Sequence, residues 1–273
     1  MKIRQIRNAT LVIEYGGVKF LVDPWLAPKD SMPAFPGCAN PHLRQPTAPL
    51  PAAIEEIVDV DAVILTHIHS DHWDHTAAEH IPADMPIFVQ HATDRVLVSQ
   101  AGSIDLEGGP HVRFVEGKAF TDVRVLTGNP QFKGVKLKKV PGQHGSDEAL
   151  GLAHDALQEV CGIVFSHPDE KILYLAGDTV WNEYVEANIR QYQPDVIIVN
   201  AGDAQAPGLG SIIMNNEDVC SVCAAAPSAT IIASHLEAAH HALNTRAALR
   251  RHLTEAGLLD RVLIPADGET CTV

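Results

Sequence analysis

No stretch of this 273-residue chain approaches the ~20 consecutive apolar residues of a membrane-spanning helix, and its first ten residues lack the apolar core of a secretory signal. Both absences lead us to expect a cytoplasmic protein with no membrane partner. Cysteine is scarce and odd in number, five residues at irregular spacing, which fits a reducing compartment. Positive charge is also short, with 20 Lys and Arg against 34 Asp and Glu and a formal net charge of -14. No basic stripe can follow a phosphate backbone, so nucleic acid is not an expected partner. No flexible linker interrupts the chain, and a 46% hydrophobic content fits a compact α/β protein.

What the sequence does have is an alternation of apolar runs with turn and helix signals. Residues 9–15 and 18–23 flank Gly16 and Gly17 as a hairpin would. Residues 28–51 carry Pro33, Pro36, Pro41, Pro46 and Pro49, which exclude helix and central strand, and read as a lid or pocket wall. A helix over 52–58, a strand over 62–66, a helix after Asp74, a strand over 87–89 and a helix over 93–101 follow. Runs at 111–115, 123–126, 135–140, 161–166 and 172–176 predict a second meander. The last third alternates again: helix 182–191, strand 196–200, helix 217–226, strand 230–233, helix 245–256 and strand 262–264. Cys220 and Cys223 form a CxxC, but Asn216, Glu217 and Asp218 before them look like a helix start, so they read as its buried side. The order of elements predicts one domain over 1–273 built of two similar halves, about 1–130 and 131–273. Two sheets packed face to face with helices outside would make a four-layer α/β/β/α sandwich.

The chemistry concentrates in His67, His69, Asp71 and His72, directly after the apolar run 62–65. Burying three imidazoles beside a carboxylate is costly without a metal or an extensive network. Side chains at 67 and 69 point to one side of an extended segment and can share an ion, whereas 71 and 72 can turn toward a neighbour. Three more coordinating residues end apolar runs: His144 between Gly142 and Gly145, Asp178 after Gly177, and His235 after Ser234.

These residues closely resemble the metallo-β-lactamase superfamily. Its His-any-His-any-Asp-His signature is matched by His67, His69, Asp71 and His72, its later histidines by His144 and His235, and its bridging acid by Asp178. The resemblance covers essentially the whole chain and implies the αββα fold. It implies one metal on His67, His69 and His144, a second on Asp71, His72 and His235, and Asp178 bridging them. Imidazole and carboxylate suit zinc, with manganese or iron as alternatives. No cysteine stands among these ligands, which argues against the penicillin-destroying members, and His69 stands where the flavodiiron branch has glutamate.

Two cations roughly 3.5 to 4 Å apart can hold a bridging hydroxide and polarise its target. The resemblance therefore implies a dinuclear metal-dependent hydrolase, with Asp71 and Asp178 orienting the nucleophile. His241, beyond His235, is a candidate for binding the oxyanion or protonating a leaving group, as is His240. The chain looks most similar to the bacterial branch around ascorbate-6-phosphate lactonase, through residues 10–24, 143–145 and 175–179. The substrate expected is a small lactone or activated ester; a small phosphodiester and a non-catalytic metal-binding role are the alternatives. Selectivity is expected from Phe35, His42 and Arg44, from Trp25, Trp73 and Trp181, and from segment 200–216, with Arg44, Lys133 and Arg246 available for an anionic group. A homo-oligomer is compatible with everything above.

Overall fold

Parallel strands buried on both faces read as unbroken apolar runs, because each alternate side chain meets a different packed layer. In Ala62–Ile64 the first and last side chains face the interior between two sheets while Val63 points outward to helices. In Val196–Asn200, Val196 and Ile198 face that interior, and Ile197 and Val199 face the outer helices. The computed structural model, which describes residues 1–105 and 111–273, thus has the four-layer α/β/β/α architecture.

The first seven-stranded sheet runs in the order Thr270–Thr272, Lys2–Arg7, Thr10–Tyr15, Val18–Val22, Ala62–Ile64, Ile87–Val89, Val123–Val125. The second runs Val262–Leu263, Thr230–Ser234, Val196–Asn200, Leu173–Leu175, Cys161–Ser166, Val135–Pro141, Gln131–Phe132. From Lys2–Arg7 onward in the first, and from Val135–Pro141 in the second, two antiparallel pairings are followed by three parallel ones. The same hand of construction therefore appears twice. Ile13, Phe20, Ile64 and Phe88 of one sheet meet Leu137, Ile163, Phe165 and Ile198 of the other. Outside, His75–His80 and Ala92–Ser99 cover the first sheet; Glu183–Tyr192, Asn216–Ala225 and Arg246–Glu255 cover the second.

Local signals act as read in most places. Gly16 and Gly17, at φ 58° and 78°, make the two-residue turn between Tyr15 and Val18. Asn182 caps its helix through the N–H groups of Tyr184 and Val185, and Thr245 caps the last one through that of Ala248. Cys223 is buried on Asn216–Ala225 and Cys220 half-buried, both as free thiols.

Several expectations need correction. The chain opens with the strand Lys2–Arg7, before the hairpin, and its last strand Thr270–Thr272 returns to pair with it, so the second half also supplies the edge of the first sheet. Residues 111–115 do not belong to the meander: His111–Phe114 pairs with Gly102–Asp105 in a separate ribbon, and Val123–Val125 runs parallel to Ile87–Val89. A helix absent from the reading, Asp147–Leu157, follows His144; Ser146 caps it, and it is broken at Ala153.

Candidate metal centre

Every residue singled out for metal binding lies beyond a strand end at one edge of the two sheets. His67, His69, Asp71 and His72 follow Ala62–Ile64, with His72 and Trp73 turning back to donate their N–H groups to the His69 carbonyl. His144 follows Val135–Pro141, Asp178 follows Leu173–Leu175, and His235 follows Thr230–Ser234. Close packing constrains the approach. A Cβ on Gly177 would lie 2.5 Å from the Cys161 carbonyl oxygen, and one on Gly202 would lie 2.1 Å from that of His235. His235 itself has φ 58°, unusual for a non-glycine residue, and its N–H is held by the Asn8 carbonyl at 3.0 Å.

All seven side chains converge. Ligand atoms of His67, His69 and His144, of His67, His72 and Asp178, and of Asp71, His72 and His235 form three groups, each within 4.8 Å internally. Asp178 Oδ2 is central: it lies 3.2 Å from His72 Nε2, 3.6 Å from His235 Nε2, 3.7 Å from His144 Nε2 and 4.0 Å from His67 Nε2. Asp71 Oδ2 is 3.4 Å from His235 Nε2.

The outer ring nitrogens decide what the inner ones carry. His144 Nδ1 donates to the Ile212 carbonyl (2.7 Å), His69 Nε2 to that of Ala156 (3.0 Å), and His72 Nδ1 to the carboxylate of Asp23 (2.9 Å). Thr66 Oγ1 donates to Asp23 at 2.7 Å and so accepts from His67 Nδ1 at 3.2 Å. Neutral rings held this way turn bare lone pairs inward. His67 Nε2 and His69 Nδ1 then face each other at 3.0 Å with no proton between them. Such an arrangement repels itself unless a cation sits among the lone pairs, and so the donor set fits divalent metal.

The electrostatics agree. Burial, with repulsion from neighbouring imidazoles, holds His67 well below the usual imidazole range, lowers His144, and brings His69 down to about 4. Burial opposes charging Asp71 and Asp178, yet His72 and His235 hold both well below the ordinary carboxylate value. Burial likewise opposes charging His72, but Asp178, Asp23 and Asp71 together drive it well above the usual imidazole value. A proton on His72 does part of a cation's work.

Three supporting residues escaped the sequence reading. Asn200 Nδ2 donates to Asp178 Oδ1 at 2.6 Å, leaving Oδ2 for the centre. Asn8 Nδ2 sits 3.2 Å from both Asp71 Oδ2 and His235 Nε2. Thr66 ties Asp23 to the cluster through its N–H (2.8 Å) and hydroxyl. Asn200 had a signal, a polar amide ending an apolar strand; Asn8 had none.

A cavity of about 390 Å³ opens on His69, Asp71, His144, Asp178 and His241. Its remaining walls are Phe35–Cys38, Ala153, Ala156 and Leu157, and the segment 206–212. The Pro-rich segment is thus a pocket wall as expected, but its charged members are not in it. Arg44 donates to the carbonyls of Asp30 and Ser31, and His42 is exposed. Lys133 pairs with Asp61, and Arg246 with Glu237 and Asp267. Trp25 and Trp73 are core residues and Trp181 packs on the second sheet's outer layer, and none of the three lines this cavity. Asp74 caps His75–His80 through the Ala77 N–H and also accepts from Ala27; burial raises it to about 6.

Helix-backed paired sheets carrying a buried histidine and aspartate cluster at one edge define a metal-dependent hydrolase. Residues 19–236 match the family described as the beta-lactamase superfamily domain, and the chain belongs to it. It is 42% identical to the UPF0173 protein YddR of Bacillus subtilis (strain 168) over 273 residues, all of both chains. Among solved structures, it is similar to an isothiocyanate hydrolase from Delia radicum gut bacteria: 43% identity, TM-score 0.91, covering 100% of this chain and 99% of that one. A possible metal-dependent hydrolase from Veillonella parvula is 35% identical with TM-score 0.92, over 100% and 99% of the two chains.

Proposed function

We propose that this protein hydrolyses a small, uncharged carbon electrophile with the help of two divalent cations. The observation that carries the reading is the cavity on the histidine and aspartate cluster: no Lys or Arg lines it among the described residues. His67, His69 and His144 would hold one cation, Asp71, His72 and His235 the other, and Asp178 would lie between them. Zinc suits this donor set, with manganese or iron as alternatives. Bound there, the cations supply a water of lowered pKa and a Lewis acid.

The chain's own residues do the rest. Asp178 Oδ2 and Asp71 Oδ2 would orient the attacking water and relay its proton onward. Asn200 and Asn8 keep those oxygens aimed. His241 borders the cavity, its Nδ1 is buried without a partner, and burial first of all brings its pKa down to about 3. It therefore works as a neutral ring hydrogen-bonding the substrate or oxyanion, rather than as a cationic acid. His240 is not available for this, because both its ring nitrogens bind the Pro-rich segment.

Two substrate classes fit a pocket lined by no Lys or Arg among the described residues. An isothiocyanate is favoured by the full-length relative at 43% identity whose described activity is isothiocyanate hydrolysis. Water would add across its C=N bond, oxygen to carbon and proton to nitrogen, and the thiocarbamate would release carbonyl sulfide and leave an amine. A lactone or activated ester needs the same attack on a carbonyl carbon. A phosphodiester or a phosphorylated lactone is disfavoured, since no cationic side chain waits for the extra charge. The test is a panel of benzyl isothiocyanate, a neutral lactone, a phosphorylated lactone and bis-p-nitrophenyl phosphate on zinc- and manganese-loaded protein. Turnover of either neutral compound is expected; fastest turnover of either phosphate compound would overturn the reading.

A further inference from the structure

Resting on that reading, we propose that the substrate carries an apolar tail seated against Phe35, which makes Phe35 a specificity-determining residue and His240 the residue that positions it. The cavity has mixed walls: His69, Asp71, His144 and Asp178 share its lining with the apolar side chains of Phe35, Leu157, Leu209 and Ile212. Phe35 is only 9% exposed, yet it belongs to none of the packed apolar clusters of the fold. Its ring lies edge-on to those of His240 and His241, at 5.5 and 5.3 Å, and borders the cavity. A mostly covered aromatic ring that joins no apolar cluster and keeps one side on the cavity is a surface fitted to an apolar partner.

Residues 28–51, with seven prolines and Gly37, form no helix that would fix a ring by itself. His240 does so, accepting the Phe35 N–H on Nε2 at 2.8 Å and donating from Nδ1 to the Ala39 carbonyl at 2.8 Å. Asn40 returns a bond to the His240 carbonyl at 3.0 Å, and Thr47 joins the carbonyls of Glu237 and Ala238. The turn that carries His235 into the cluster therefore also carries the clip that holds Phe35. Distance from reacting carbon to tail is set by one short piece of chain, residues 235–241.

The test compares metal-loaded wild type with Phe35→Ala, Phe35→Leu and His240→Gln on methyl and benzyl isothiocyanate, together with calorimetric binding of uncharged, unreactive benzylthiourea. Losing the ring should raise KM for the benzyl compound, and weaken benzylthiourea, by about tenfold or more, while KM for the methyl compound moves less than twofold. Phe35→Leu should recover part of the loss, and His240→Gln should shift the same ratio with metal content unchanged. Equal effects on both tails, or none, would overturn the proposal. If wild type turns over neither isothiocyanate, the isothiocyanate reading fails separately, and benzylthiourea still decides: a selective loss in Phe35→Ala upholds the wall, while no wild-type binding or equal affinities sink it.

Discussion

Bare lone pairs of His67, His69 and His144, directed inward by acceptors on their outer nitrogens, are the physical reason for a cation at this edge. A consequence follows for protons. The imidazoles of His67, His69 and His144 and both carboxylates are already held in their unprotonated forms, whereas His72 is held protonated by three carboxylates. Metal uptake at pH 7 should therefore release about one proton per chain, measurable by calorimetry in buffers of different ionisation heat. The sign for stability is also fixed. His72, raised when folded, contributes fully below its ordinary value of 6.5, and that contribution disappears as pH rises through the raised value. Asp71 and Asp178, lowered when folded, contribute above their ordinary value of 3.8 and lose it as pH falls. Chelated protein should lose urea resistance as pH rises above 6.5, and His72→Asn should flatten that loss; a rise on the alkaline side would contradict it. The partners behind the cluster matter too: Asp23→Asn and Asn200→Ala should each cost about 10–100-fold in metal affinity or turnover, checked by competition with a chelator.

Among the elements, the Pro-rich segment is held at both ends by one buried cation. Arg7 donates to the carbonyls of Trp25 (2.6 Å), Ala27 (2.9 Å) and Ala48 (3.0 Å) and lies over the Trp25 ring, with its pKa brought down to about 10 by burial. Arg7→Met would leave those carbonyls without their donor, at a cost of about 3 kcal/mol or more by urea unfolding, and should open residues 28–51 to proteolysis first. The same residue explains why the strand Lys2–Arg7 was not legible. Its buried positions include Gln5 and Arg7, polar side chains held by specific hydrogen bonds, so no apolar alternation shows. Asp147–Leu157 was hidden for another reason: its packed side is Ala149, Leu150, Ala153 and Leu157, with Gly151 and exposed Leu152 breaking the pattern. By contrast, the metal residues could be read because each follows an apolar run. Ser146→Ala should cost about 1 kcal/mol and increase hydrogen exchange in 147–157 while leaving the sheets protected.

At the scale of the molecule, the twice-repeated order of two antiparallel and three parallel pairings brings the cluster-bearing loops of both sheets to a single edge. That architecture was legible from the alternation of runs and helices. Its closure was not, because Thr270–Thr272 is three residues long and gains its place only by pairing with Lys2–Arg7. That no Lys or Arg lines the pocket among the described residues was not legible either: Arg44, Lys133 and Arg246 were available in the sequence, and only three-dimensional placement shows them engaged with their own neighbours. The central claim, that two cations share the acid at this edge, is tested most directly by counting metal per chain in wild type, His144→Ala and Asp178→Ala by plasma mass spectrometry. Two equivalents in wild type, one in His144→Ala and fewer than one in Asp178→Ala, with turnover falling in step, is the predicted result. Full turnover with one equivalent, or two equivalents retained in both variants, would contradict it.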